Sequence, residues 1–286
     1  MKTRLPALLF MLCICFSCIF SNCSRKNESA PPPPVLPPVD TTHPVVLPYQ
    51  LVWSDEFNGS GLPDPAKWGY DVGGNGWGNN EQEYYTNAKV ENARQENGNL
   101  VIEARKEAVG GNNYTSARLL TKNKAQWTYG RFEIRAKLPR GRGTWPAIWT
   151  LSDHNPLSWP ADGELDIMEA VGFNPNVIYG TAHNKKYNGA NGLQKGGNTT
   201  IPTAQDSFHV YKMEWSTTKI EWFVDDVSYF SYTDPGSGND AWPYNSNFFI
   251  ILNIAIGGNW GGQQGIDDTI FPQQMLIDYV RVYQRK

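Results

Sequence analysis

The sequence predicts an all-β protein, an antiparallel sandwich. Short runs alternate polar and apolar residues, clusters of Gly, Pro, Asn and Asp separate them, and no stretch repeats apolar residues at helical spacing. The alternating runs begin at residues 99–105. Arg131-Phe-Glu-Ile-Arg-Ala-Lys-Leu138 alternates along its length, as a half-buried strand does. Residues 210–215, 219–224 and 227–232 behave alike. Residues 248–255 are almost wholly apolar and predict a central strand, and residues 275–283 close the domain. No internal repeat is visible.

The chain has 286 residues and a formal charge of −3, enough for one large β domain or two small ones. Without a basic patch it carries no electrostatic footprint for nucleic acid. Its 11 Trp and 14 Tyr are a heavy aromatic load. Tryptophan suits a core, but it also stacks on the C–H faces of sugars.

Lys2 and Arg4 precede an apolar stretch over residues 8–20, too short to span a bilayer and suited to a signal segment. All four cysteines (Cys13, Cys15, Cys18 and Cys23) lie in or just after it, so the rest of the chain has neither disulfides nor a cysteine metal site. Phe20-Ser21-Asn22-Cys23 resembles a bacterial lipobox with Cys23 as the lipidated residue. Phe20 and Asn22 depart from that pattern, so plain secretory cleavage is the alternative. Residues 23–48, with Pro31-Pro-Pro-Pro34 and Pro37-Pro38, read as an extended, Pro-rich linker. The expected order is a signal peptide at 1–22, this linker, and a monomeric folded domain at 49–286. The protein is expected on the bacterial outer membrane or cell surface, otherwise in the periplasm or medium. Its only membrane contact would be the lipid anchor.

Gly163-Glu-Leu-Asp-Ile-Met-Glu-Ala170 carries the chemistry. Acidic residues are poor strand formers and lose free energy when desolvated, so three of them among apolar neighbours need a reason. Glu164 and Asp166 share a face, whereas Glu169 is out of phase. A β-bulge at Ile167–Met168 would bring all three carboxyls to one side. Glu164 and Glu169 would then lie roughly 13 Å apart at Cα, and leaning side chains would close the carboxyls to roughly 5–6 Å. Retaining glycosidases hold theirs at about 5–5.5 Å. An exposed acidic strand edge is the plain alternative.

The flanks are Trp145-Pro-Ala-Ile-Trp149 and Trp159-Pro-Ala-Asp-Gly-Glu164. Further motifs are Trp77-Gly-Asn-Asn80-Glu-Gln-Glu-Tyr-Tyr-Thr86, Ser116-Ala-Arg118, Tyr129-Gly-Arg-Phe-Glu-Ile-Arg135 and Leu252-Asn253-Ile-Ala-Ile-Gly-Gly-Asn-Trp260. Together they resemble glycoside hydrolase family 16, and most closely its laminarinase-like endo-β-1,3-glucanases. The resemblance implies a concanavalin A-like β-jelly roll with a concave cleft. It implies that Glu164 is the nucleophile, Glu169 the acid/base and Asp166 the assisting carboxylate, with no cofactor in the chemistry. It implies a β-glucan partner, held by Asn80, Arg118, Trp145, Trp149, Trp159, His183 and Trp260. Core packing, turn shaping and structural roles are the competing readings of these residues. The resemblance also suggests a structural calcium at Glu56, Gly98 and Asp278, which ordinary turn roles explain equally well. Mixed-linkage glucan or an algal galactan are alternative substrates, transglycosylation an alternative outcome, and a non-catalytic glucan-binding module an alternative class.

Overall fold

The computed structural model describes residues 47–286. The expected signal peptide, nearly all of the expected linker and Cys23 lie outside the described residues. In chain order the strands are β1 (Tyr49–Asp55), β2 (Gly69–Asp71), β3 (Glu83–Tyr85), β4 (Ala93–Glu96), β5 (Asn99–Val109), β6 (Asn112–Ser116), β7 (Arg118–Leu120), β8 (Gly130–Lys137) and β9 (Thr144–Ser152). They continue as β10 (Glu164–Glu169), β11 (Val177–His183), β12 (Lys195–Thr200), β13 (His209–Trp215), β14 (Lys219–Val224), β15 (Val227–Thr233), β16 (Phe248–Ile256) and β17 (Gln273–Arg285).

These strands form two sheets. The larger runs β15-β14-β13-β8-β17-β5-β6-β3, with β1 on β17 and β4 on β5. The smaller runs β12-β11-β10-β9-β16-β7-β2. Pairing is antiparallel except between β3 and β6. Each predicted strand is present, with ends moved by a few residues. The all-apolar run is β16, central in its sheet and buried along its length, as its composition requires.

One hydrophobic core lies between the sheets. Phe132, Ile134, Trp215, Trp222 and Val280 meet Ile148, Leu165, Met168, Leu252 and Ile254 there. A smaller cluster of Leu120, Leu151, Phe249 and Ile251 forms on the opposite face of the seven-stranded sheet, with Trp149 and Leu157 against it. That second apolar floor lies on the side that carries the acidic residues, because register places Asp166, Trp149, Ile251 and Leu120 in one cross-strand row.

Candidate active site

The bulge expected at Ile167–Met168 is present. Asp166 faces Trp149 on β9 and Met168 faces Ile148, so Ile167 is the extra residue; the β11 register shifts over the same span. Ile167 and Met168 are both buried in the core. Two consecutive apolar side chains thus point inward, and Glu169 returns to the face of Glu164 and Asp166. The Asp166 carbonyl, at the edge of the bulge, also has a partner from across the core. Trp222 of the facing sheet reaches through the core and donates its indole N–H to it at 2.8 Å. Leaving such a buried carbonyl unpaired costs about 1–3 kcal/mol. Gly180 makes room for that indole, since a Cβ there would come within 2.5 Å of the Trp222 ring. Gly163 enters β10 at φ +87°, with Pro243, Tyr244 and Phe248 crowding the place of a side chain.

Each of the two glutamates has its own indole. Trp159 donates to Glu164 at 2.8 Å and Trp145 donates to Glu169 at 2.9 Å. His183, opposite Glu164 on β11, places Nε2 3.1 Å from Asp166 and 3.8 Å from Glu164. Burial raises all three carboxyls. Like charge adds to this, with Glu164 pushing Asp166 to about 7 and Asp166 helping push Glu169 to about 8. In Glu164 the rise from burial is opposed by His183 and by the Trp159 hydrogen bond. Glu169 therefore keeps its proton at neutral pH; Glu164 is raised too, but less far, and the Trp159 N–H favours its ionised form.

Burial lowers His183, and Asp166, Glu164 and Glu169 outweigh it, raising the imidazole to about 9. The backbone works against that charge. Gly189 N–H donates to His183 Nδ1 at 3.0 Å, and Nδ1 accepts only while unprotonated. The cation forms only if this contact opens, so we read the ring as neutral, with its proton on Nε2 facing the carboxylates. Glu164, Asp166 and His183 present donor atoms within 4.8 Å of one another, a metal-sized group. The tautomer argues against that use, because a ligating histidine offers a bare nitrogen and donates from the other.

The remaining expected site residues divide. Trp145 lies edge-on to Trp260 at 5.5 Å, and Trp260 edge-on to Tyr179 at 5.0 Å. Tyr179 pairs directly across from Glu169, so an aromatic wall surrounds the acid/base candidate. Trp159, 45% exposed, stands at the rim beside Glu164. Trp149 donates to Asn253 at 2.8 Å. Arg118 is buried between the rings of Trp77 and Trp149, 4.7 Å from each centroid, with Asp71 3.1 Å away. It props up an aromatic platform. Asn80, exposed and at φ +56°, donates to Asn259 and ties its turn to the loop carrying Trp260.

Register brings the calcium candidates together, since Asp55 faces Val280 and Leu100 faces Ile277. Their acids are already engaged. Arg281 grips Glu56 with two hydrogen bonds of 2.9 and 2.7 Å, and Arg135 pairs with Asp278 at 2.5 Å. Calcium takes six to eight oxygens, largely carboxylate and carbonyl. With both carboxylates neutralised by arginine, these side chains do not fit a calcium cage as arranged.

Two carboxyls brought to one face of a β-sandwich, one protonated and the other less strongly raised and holding an indole donor, among indoles suited to sugar faces, define a glycoside hydrolase. The sequence model for glycosyl hydrolases family 16 matches residues 80–281. A β-glucanase from Rhodothermus marinus is 58% identical over 244 residues, covering 82% of this chain and 85% of that protein. The X-ray structure of the laminarinase from Rhodothermus marinus superposes with a TM-score of 0.81 at 56% identity, covering 83% of this chain and 98% of that one. A mutant of SCLam, a non-specific endo-β-1,3(4)-glucanase crystallised with a glucan oligosaccharide at its active site, matches with a TM-score of 0.81 at 46% identity, covering 85% and 98%. The chain belongs to glycoside hydrolase family 16, and its sandwich is that family's jelly roll.

Proposed function

We propose that this protein is an exported, endo-acting β-glucanase that cleaves β-1,3 linkages of laminarin-like glucans by double displacement with retention. The observation that carries the mechanism is the bulge, which sets Glu164 and Glu169 on one face, with Glu169 the more strongly raised of the two. Glu164 attacks the anomeric carbon while Glu169 gives its proton to the departing glycosidic oxygen. Glu169, now ionised, takes a proton from water as that water displaces Glu164 from the sugar. Asp166, between them, holds a proton by hydrogen bonding and limits the build-up of negative charge as the roles alternate. The glucan preference is supported by the relatives that act on such polymers. Mixed-linkage glucan is the second reading, favoured by the β-1,3(4) range of SCLam.

Products from laminarin, lichenan and agarose separate these readings. Laminarin should be cut internally and fastest; faster cleavage of lichenan or agarose would replace the substrate assignment, and no cleavage at all would leave a binding module. The roles are tested with azide and an activated aryl β-glycoside. Glu169→Ala should be rescued and yield the β-azide, and Glu164→Ala should yield the α-azide. Reversed configurations would exchange the two roles.

A further inference from the structure

Behind the aromatic wall lies a second acidic pair that the mechanism above does not use. Glu81 and Glu83 are two residues apart in an extended segment and point the same way. Glu83 is fully buried. One of its oxygens accepts the Ile256 N–H at 2.6 Å; the other has no donor and meets Glu81. Glu81, 8% exposed, is supplied differently. Asn79 donates to one of its oxygens at 3.0 Å and the Tyr85 hydroxyl to the other at 3.1 Å. Counting donors assigns the proton. Two carboxylates cannot face each other in a buried site without one. Glu81 accepts on both oxygens, whereas Glu83 has an unpartnered oxygen that becomes a donor once protonated.

The pair is tied to the site by packing and by hydrogen bonds. Glu81 and the Trp145 ring approach Gly258 from two sides, 3.4 and 3.3 Å from where its Cβ would stand, and Trp145 is the indole that donates to Glu169. On the other side the chain runs Glu81, Tyr85, Asn253, Trp149, with Asn253 donating to Tyr85 at 3.0 Å.

We propose that Glu81 and Glu83 share one proton, resident on Glu83, and that the charge left on Glu81 is a positioning element that favours the protonated form of Glu169. The proposal rests on Glu169 being the general acid. The other charged or titratable groups facing this region are Tyr85 on β3, Arg118 on β7, Glu164 and Asp166 on β10, and His183 and Tyr179 on β11. Among them Asp166 adds to the effect on Glu169, the neutral His183 brings no net charge, and Arg118 is paired with Asp71. Burial and the charge of Glu81 together hold Glu83 well above the usual carboxylate range, and Glu81 is among the charges that raise Glu169.

The experiment is the pH profile of kcat/KM on laminarin for two isosteric variants. Glu81→Gln removes the charge, and the alkaline limb should fall by about half a pH unit with KM little changed. Glu83→Gln imitates a protonated carboxyl, and its profile should overlie that of the wild type. An unmoved limb in Glu81→Gln, or the same shift in both variants, would overturn the proposal; a purely structural role would lower kcat evenly across pH. Should Glu81→Gln fail to fold, infrared difference spectra of wild type against Glu83→Gln at pH 7 carry the test. A protonated-carboxyl band in the wild type is expected, and its absence would refute the shared proton. If that band is present while Glu81→Gln leaves the limb in place, the acid pair stands and the link to Glu169 as general acid is what fails.

Discussion

Replacing Glu169 by Gln should abolish activity and yet stabilise the protein, increasingly so as pH rises. An ordinary glutamate titrates at 4.5, and buried Glu169 at about 8. Between those values the folded chain holds a proton that the unfolded chain has released. Folding then takes up a proton, so stability falls as pH rises through this window and stays lost above it. At pH 7 the window crossed is about 2.5 units, on the order of 3 kcal/mol at about 1.4 kcal/mol per unit. Glutamine has no such proton and can still accept from Trp145. For a domain of this size about 1 kcal/mol moves Tm by roughly 2–4 °C. The variant should therefore melt some 6–12 °C above wild type at pH 7 and only a few degrees above it near pH 5. Calorimetric scans of both proteins across that range are the assay. Melting curves that stay parallel with pH, or a wild type more stable at pH 7, would refute the assignment of a raised, desolvation-dominated Glu169.

Two further expectations concern the parts of the molecule away from the carboxyls. If Cys23 is lipidated, the full-length protein should fractionate with membranes and partition into detergent, and Cys23→Ser should release it; a wild type found wholly soluble would rule out the anchor. Because Arg281 and Arg135 already neutralise Glu56 and Asp278, chelation with EDTA should leave Tm within about 1 °C; a large fall would show that calcium displaces those arginines.

The strands were legible because alternation reports burial directly, and β8 shows it residue by residue. The bulge was legible too, since three acids out of phase leave few other ways to share a face. Short strands such as β2, β3 and β7 escaped, because three residues are too few to display a period. Partners supplied by other strands were hidden. Tyr179 faces Glu169 only through the β10–β11 register, and Trp222 reaches the Asp166 carbonyl from the opposite sheet. Glu81 and Glu83 stood in a motif already singled out, but their spacing carried no sign that they would be buried against each other. Arg118 read as a sugar ligand, a natural role for an exposed guanidinium, whereas its burial between two indoles becomes visible only once Trp77 and Trp149 converge.

The extra residue in β10 makes the distance between the two acids a counted quantity. Strands change length by whole residues, and each unit step exchanges the inside and outside of everything beyond it. Losing Ile167 or Met168 alone would turn Glu169 into the core and send a hydrophobe toward solvent, much as a frameshift rewrites all that follows. Small adjustments of the spacing must therefore come from elsewhere, through the tilt set by the Trp222 clamp or the reach of the indoles on each carboxyl. Substitutions at Trp222, Trp145 and Trp159 offer a continuous adjustment of this catalyst, whereas insertions and deletions in β10 only switch it on or off.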